Sequence, residues 1–311
     1  NKVIIGERIT HGHGAGANPE VGKMAAEENI DDIKQILSGA HMVFITTGMG
    51  GGTGTGAAPV VAKLAKDMGI LTIAVVTKPS AFEGTTRMRK AESGIDELKQ
   101  RVDTLVVIPN ERLLQVCPKG TSFKGAFNFA DDVLRQGIQG ISDLIALPAL
   151  INLDFADVKT VMESGGMAHM GIGYGDGENK MVQAAKNAIS SPMLETTIDG
   201  ARAVLINITG GEDSSIVDIN DAVEMITAAA DSEANIILGA SIDDTLEDEV
   251  HITVIATGFE LKNEAFAPKA APVKAAEPED DIDAPVAAAA KAPAKPADIG
   301  DIDEIFKIFG R

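Results

Sequence analysis

The feature that most restricts the fold is the glycine-rich run GMGGGTGTG at residues 48–56. It follows a short apolar segment, 42–45, that is typical of a buried parallel strand, and it precedes a predicted helix over 57–68. Glycines let the backbone turn sharply and approach a ligand, which exposes successive N–H groups. The helix that follows adds a dipole that favours anions. The run therefore predicts a phosphate-binding loop; a flexible turn without a ligand is the alternative.

Apolar and helical segments alternate along most of the chain, which predicts an α/β fold with parallel strands and right-handed crossovers. After the first strand, the first block has predicted strands at 71–76 and 104–108 and a helix at 87–101. One long helix is predicted at 123–146, roughly 35 Å in length. A second α/β block follows, with strands at 168–174, 203–208, 235–239 and 249–257 and helices at 178–189 and 217–230.

Composition excludes several classes of function. The chain has 46 acidic and 27 basic residues, a net charge of −19, which disfavours nucleic acid as a partner. No apolar run approaches the roughly 20 residues of a membrane span, so direct membrane insertion is not expected. Cys117 is the only cysteine, which indicates a reducing compartment and a cytoplasmic protein.

These patterns predict five regions. They are a nucleotide-binding domain with the central helix (1–147), an acidic loop and helix (148–164), a C-terminal α/β domain (165–260), a disordered linker (261–298) and a partner-binding tail peptide (299–311). The linker is rich in Ala, Pro and charged residues, and the tail places apolar residues at helical spacing. Because the chain begins at Asn1 with a strand-like run, 2–6, it is expected to lack its natural start.

The glycine run and four other segments resemble the tubulin/FtsZ family, and bacterial FtsZ more than eukaryotic tubulin. The segments are GHGAGANPEVG (12–22), 82–87, 110–114 and NLDFADV (152–158), and they occur in the order found in FtsZ. The resemblance covers about residues 1–260. It implies a Rossmann-like parallel-sheet GTPase domain, although the family's first strand and its G-G-x-G-x-N loop have no match here.

The resemblance implies a guanine-nucleotide site. The terminal phosphate would be faced by Ala15, Gly16 and Ala17, and the other phosphates would be bound by Gly50, Gly51, Gly52, Thr53, Gly54 and Thr55. The ribose would be surrounded by Pro79, Glu83 and Arg87, and the guanine would be read by Asn110, Phe127 and Asp131. GTP, GDP and Mg²⁺ would be the ligands, and the Mg²⁺ would be held at the phosphates; no protein metal ligands are predicted.

The chemistry of two of these predictions can be checked against simpler explanations. A carboxylate such as Asp131 can accept from both N1–H and the 2-amino group of guanine, a pair that adenine lacks. The alternative for Asp131 is an ordinary acidic residue near a helix start, and the alternative for Glu83 and Arg87 is a simple i,i+4 ion pair. Their order relative to the glycine run favours the nucleotide interpretation.

The segment 152–157 is the predicted catalytic site. The resemblance implies catalytic roles for Asn152, Asp154 and Asp157, whereas a plain helix cap would explain the spacing of the two acids. They follow the end of the long helix, whereas the guanine end of the site lies at its start, roughly 35 Å away. If these residues are catalytic, they must act on the nucleotide of a neighbouring subunit.

In the family, this acidic loop completes the site of the next subunit, which implies head-to-tail homopolymers and hydrolysis that depends on assembly. The resemblance also implies a role in cell division at a cytoplasmic midcell ring, with membrane-anchoring and regulatory proteins bound by the tail. Two alternatives stay open. One is an NAD-dependent enzyme, because Gly52, Gly54 and Ala57 fit a loose dinucleotide pattern. The other is a nucleotide-binding scaffold that assembles without turnover.

Overall fold

After three helices, strands and helices alternate through the first half of the chain, as the apolar pattern from residue 42 onward predicts. The computed structural model describes residues 2–112, 120–146, 151, 154–163, 165–194, 198–211, 213–243, 245–246 and 248–259. The elements of this half are α1 (Glu7–Thr10), α2 (Pro19–Glu28), α3 (Ile30–Leu37), β1 (Met42–Gly48), α4 (Thr53–Asp67), β2 (Leu71–Lys78), α5 (Thr85–Lys99) and β3 (Thr104–Pro109).

The second half begins with the long helix and continues the alternation. Its elements are α6 (Phe123–Ala146), α7 (Phe155–Met162), β4 (Gly166–Asp176), α8 (Lys180–Ile189), β5 (Ala203–Gly210), α9 (Ile216–Ala229), β6 (Asn235–Ile242) and β7 (Glu249–Thr257). The bounds of α6 and β7 are those predicted. The α/β fold class is therefore confirmed, while the predicted linker and tail lie outside the described residues.

The described strands form one sheet in the order β1-β2-β3-β4-β7-β5-β6. Pairing is parallel from β1 to β4, with β3 and β4 in register for only three residue pairs. Strand β7 is antiparallel to both β4 and β5, and β6 is again parallel to β5. The sheet is thus continuous from the first half of the chain to the second. Domain boundaries at 147 and 165 stay a prediction.

The central helix α6 packs into the main hydrophobic core. Val133 and Ile141 of α6 are buried there with Val158 and Met162 of α7 and with residues of β2, β3, β5 and β7. Phe127, nearer the start of the helix, is in contrast 39% exposed. None of the helices in the described ranges is both long and apolar enough to cross a bilayer.

Two predictions differ most from the structure, while most other element bounds differ by one to three residues. The run 2–6 is not a strand, because a strand needs a neighbour for its backbone hydrogen bonds and no described segment pairs with it. Helix α4 begins at Thr53, four residues earlier than predicted, and Pro59 lies inside it. Glycines are poor helix formers, but in a first turn the N–H groups need no helical partner, so the helix can start within the glycine run.

Helix α7, which carries the predicted catalytic acids, is joined to β3 by a buried hydrogen bond. The hydroxyl of Thr104, which is fully buried, donates to the backbone carbonyl of Met162 at 2.5 Å. We expect Thr104→Val to lower the free energy of unfolding by about 1 kcal/mol, because it removes a buried hydrogen bond while the Met162 carbonyl keeps its bond from the N–H of Gly165. Urea unfolding measures this, and an unfolding midpoint in Thr104→Val equal to that of the unaltered protein would contradict the assignment.

Candidate functional site

A cleft opens where the carboxyl ends of β1, β2 and β3 approach the N-terminal half of α6. Ligands of open parallel sheets bind at this edge, because loops diverge there and backbone groups are free. The residues that line the cleft are Thr46, Thr47, Gly48, Met49, Thr77, Pro79, Glu83, Arg87, Asn110, Phe127, Asp131 and Leu134. The structure therefore brings all the residues predicted for the ribose and the base to one cleft.

The glycine run forms the turn between β1 and α4 and is held by one of its own threonines. The N–H of Gly50 donates to the hydroxyl oxygen of Thr55 at 2.9 Å, and the side chain of Thr55 is buried. Gly50 has a φ of 96°, and a Cβ there would lie 2.7 Å from the carbonyl oxygen of Arg87. Thr55 thus shapes the loop, whereas Thr53 is exposed.

The predicted terminal-phosphate loop lies directly beside the glycine run. A Cβ on Gly52 would meet Ala15 Cβ at 2.7 Å and the backbone nitrogen of Asn18 at 2.8 Å, so only glycine permits this approach. A Cβ on Gly51, in contrast, would meet nothing within 4 Å. The two predicted phosphate-facing loops are therefore adjacent, and the glycine run keeps open space at Gly51.

Glu83 and Arg87 form the predicted ion pair and also line the cleft. Arg87 Nη1 lies 3.2 Å from Glu83 Oε2, and Glu83 Oε1 accepts from the backbone N–H of Ser80 at 2.9 Å. The Glu83 side chain is 11% exposed and that of Arg87 52%. This geometry is compatible with a simple i,i+4 ion pair and also with a role at the ribose, because the ion pair orients the Glu83 carboxylate within the wall of the cleft.

The end of the cleft at α6 has an unpaired polar atom. Asn110 Oδ1 is buried and has no hydrogen-bond partner among the described atoms. A buried unpaired acceptor costs about 1–3 kcal/mol, so a ligand that donates to it would relieve that cost. Asp131 and Phe127 lie on the first turns of α6 beside the same cleft and are exposed. A carboxylate, an amide and an aromatic ring are suited to the hydrogen-bonding edge and the face of a planar base.

Some cleft residues were missed by sequence reasoning. Thr46, Thr47 and Thr77 lie at the carboxyl ends of β1 and β2, and Met49 and Leu134 supply apolar contacts. The position of the threonines is the signal that was available, because residues that end adjacent parallel strands meet at one edge of the sheet. Met49 and Leu134 could not be distinguished from ordinary core residues by spacing alone.

Asp154 and Asp157 form a reciprocal cap at the start of α7, and both are exposed. Asp154 Oδ1 accepts from the backbone N–H of Asp157 at 2.9 Å, and Asp157 Oδ2 accepts from that of Asp154 at 3.4 Å. This is the helix cap that the spacing also suggested. Asn152, the third predicted catalytic residue, lies outside the described residues.

The acidic cap lies at the opposite end of β1 from the cleft. The ring of Phe155, next to Asp154, contacts that of His41 with 6.3 Å between centroids, and His41 immediately precedes β1. The cleft is formed by the last residues of this seven-residue strand. At ~3.3 Å per residue the two sites are roughly 20 Å apart. The acids therefore do not reach the cleft of their own chain.

Two family models match the chain. The GTPase domain of the tubulin/FtsZ family matches residues 1–118, and the C-terminal domain of the FtsZ family matches residues 166–260. The matched segments include the glycine run, the terminal-phosphate loop and the strands from β4 to β7.

Solved structures of the same fold agree with these matches. The FtsZ dimer from M. jannaschii, solved empty, is 47% identical, with 82% of this chain and 74% of that chain covered and a TM-score of 0.79. CetZ1 from Haloferax volcanii, a GDP-bound monomer, is 22% identical, with 82% of this chain and 77% of that chain covered and a TM-score of 0.69. CetZ2 from the same organism, a GTPγS-bound protofilament, is 20% identical, with 82% of this chain and 78% of that chain covered and a TM-score of 0.69. At those identities the two CetZ proteins show the fold alone.

The fold, with its glycine loop at the end of β1 and its central helix, is that of the tubulin-like GTPase class. Within that class, the chain belongs to the FtsZ family. The resemblance inferred from the motifs is thus confirmed, while the roles of the individual site residues stay predictions.

Proposed function

We propose that this protein is a self-assembling GTPase whose active site is completed between subunits. The observation that carries the proposal is the separation of the cleft from the acidic cap at opposite ends of β1. A cleft that binds GTP and acids that face away from it become one site when chains stack head to tail. The FtsZ dimer and the GTPγS-bound CetZ2 protofilament are assemblies of proteins with this fold.

Binding of the nucleotide follows from the cleft's own groups. The backbone N–H groups of residues 50–55 and the N-terminus of α4 suit the phosphates, and the open space at Gly51 leaves room for them. Asp131 accepts from guanine N1–H and its 2-amino group, and Asn110 supplies the unpaired buried acceptor. Glu83 accepts from ribose hydroxyls, and Arg87 offsets phosphate charge.

Hydrolysis then requires a positioned water and charge stabilisation more than covalent chemistry. In the proposed mechanism Asp154 and Asp157 of one chain orient and polarise the attacking water at the terminal phosphate of the next chain. Mg²⁺ would neutralise charge on the β- and γ-phosphates, and these phosphates would supply most of its oxygen ligands. This is compatible with the described ranges, in which no three His, Cys, Asp or Glu side chains converge to hold a metal ion.

The interface implied by this arrangement is heterologous, because a cleft on one chain meets a different surface on the next. Such contacts repeat without closing and generate filaments. We propose that these filaments act in the cytoplasm at the division site, as a midcell ring, and that the tail peptide recruits membrane-anchoring and regulatory proteins. These parts of the proposal rest on family membership.

The base-reading role predicts a selective loss of nucleotide binding in Asp131→Ala. We expect the stabilisation of the protein by GTP, measured as a rise in melting temperature, to fall by most of its value, because two hydrogen bonds to guanine are lost. The unliganded melting temperature should barely change, since Asp131 is exposed. Asp132→Ala is the matched control: it removes an adjacent exposed acid, which pairs with Arg135 and does not line the cleft. Equal effects of the two variants would contradict the assignment.

The dependence of GTP turnover per chain on protein concentration tests the shared site. Turnover that is absent below a threshold and rises steeply above it supports a site completed between chains. Constant turnover at every dilution would mean that one chain is sufficient for hydrolysis.

The alternative function, an NAD-dependent enzyme, predicts a different ligand. In that case NADH, and not GTP, would raise the melting temperature of the protein.

A further inference from the structure

One lysine outside the cleft joins helix α5 to the predicted terminal-phosphate loop. Lys90 Nζ donates to the backbone carbonyl of Ala17 at 2.5 Å, across 73 positions of sequence. Ala17 is in the left-handed region with a φ of 57°, a conformation that is unfavourable for a residue with a side chain. The lysine therefore holds the loop at its one strained non-glycine residue between Gly12 and Asn18.

Little else holds this part of the loop. Gly12, Gly14 and Gly16 also have positive φ, and a Cβ on any of them would meet nothing within 4 Å. Ala15 is buried against Gly52 and fixes the middle of the loop, whereas Gly16 and Ala17 are exposed. A backbone hydrogen bond from the N–H of Asn18 to the carbonyl of Ala15 (2.9 Å) closes the turn locally, and the Lys90 contact joins this exposed side of the loop to another helix.

Helix α5 contacts both predicted phosphate-facing loops with one face. Residues three apart on a helix are neighbours on its surface, and Arg87 lies three before Lys90. The backbone of Arg87 sits against Gly50 of the glycine run, and Lys90 binds Ala17 of the other loop. The helix therefore sets the position of the two loops relative to each other.

The charge of Lys90 is directed to a carbonyl rather than to a carboxylate. Within the described ranges, no Asp or Glu oxygen lies within 4.0 Å of its ammonium group, in contrast to Lys78, which forms an ion pair with Glu92 of the same helix α5. A carbonyl dipole does not neutralise the positive charge of the ammonium group, as a carboxylate would, so most of its electrostatic field remains. At the junction of two phosphate-facing loops that field favours an additional anionic group.

We propose that Lys90 is a positioning residue that holds the loop 12–17 against the terminal phosphate and so makes the site prefer GTP to GDP. The inference rests on the proposed function, since it assumes that the cleft binds guanine nucleotides. The guanine end lies at α6 and the phosphate end at the glycine run, so a third phosphate extends toward this loop. The shorter phosphate chain of GDP ends before the loop 12–17, so GDP binding depends little on the position of that loop.

Equilibrium binding of GTP and GDP to the protein and three variants tests the proposal. We expect Lys90→Met to weaken GTP binding roughly five- to tenfold and GDP binding less than about twofold, as for loss of a partly exposed charge-assisted contact. Lys90→Arg should restore the preference, since it keeps a cationic donor. Arg89→Met, which removes a neighbouring exposed charge, should leave the ratio of the two dissociation constants within about twofold of the original.

The outcomes separate failure of this inference from failure of the proposed function. If the unaltered protein binds GTP and Lys90→Met keeps the same GTP-to-GDP ratio, Lys90 does not position the loop and the inference is overturned. An equal loss for both nucleotides, with no rescue by Lys90→Arg, overturns it as well. If the unaltered protein binds neither nucleotide, the proposed function itself is wrong.

Discussion

Asp157→Asn should abolish GTP turnover while leaving nucleotide binding intact. The expected fall in turnover per chain is roughly 10²- to 10³-fold, the usual effect of removing one group that stabilises a charged transition state. The substitution keeps an oxygen that can accept from the N–H of Asp154, so the cap of α7 is retained. Because the acid lies far from the cleft of its own chain, the stabilisation by GTP should be unchanged.

A matched control separates this effect from a general loss of negative charge. Asp31 is an exposed acid in the first turn of α3, which has eight residues like α7. Asp31→Asn should keep turnover within about twofold of the original. Turnover in Asp157→Asn close to that of the unaltered protein would favour the scaffold interpretation, in which Asp154 and Asp157 only cap the helix.

Gly56→Ala should cause the largest loss of stability among substitutions in the glycine run. An added Cβ would lie 1.9 Å from the carbonyl oxygen of Pro19 and 2.6 Å from the backbone nitrogen of Lys23, so α2 and α4 would have to separate. Backbone atoms cannot rotate away as side chains do. We expect a loss of about 3 kcal/mol, or roughly 6–12 °C in melting temperature, measured by thermal unfolding without nucleotide.

Gly51→Ala is the control for that prediction and also a test of the ligand. Its added Cβ would meet nothing within 4 Å, so unliganded stability should change by less than about 0.5 kcal/mol. If this space receives phosphates, the variant should nevertheless lose much of its stabilisation by GTP. A variant that is unaffected both with and without GTP would show that the phosphates do not lie at Gly51.

From β1 onward the sequence predicted the order and type of the elements, because strand and helix periodicities are strong there, whereas the helices α1, α2 and α3 were not predicted. The long helix was predicted to the residue, since its apolar positions continue without a break from Phe123 to Ala146. The run 2–6 misled, because β propensity says nothing about whether a partner strand is present. The start of α4 was predicted four residues too late. A run of glycines predicts a turn, although the first turn of a helix can also contain glycines.

The site was partly predictable for a different reason. Motif order identified Asn110, Phe127 and Asp131 as neighbours, although they are distant from the glycine run in sequence. The hydrogen bond from Gly50 to Thr55 and the unpaired oxygen of Asn110 depend on three-dimensional packing, so no spacing rule could show them. The separation of the acids from the cleft was expected from helix length, and the contact of Phe155 with His41 now supports it.

The most direct test of a site shared between chains is a mixing experiment with two inactive variants. Asp157→Asn keeps the cleft but lacks the acid, and Asp131→Ala keeps the acid but lacks a base-reading group; each should be nearly inactive alone at low GTP. In an equimolar mixture, about one quarter of head-to-tail contacts would join an intact cleft to an intact acid. A site shared between chains predicts turnover that approaches about one quarter of the unaltered protein's value. Turnover equal to the average of the two separate variants would contradict it.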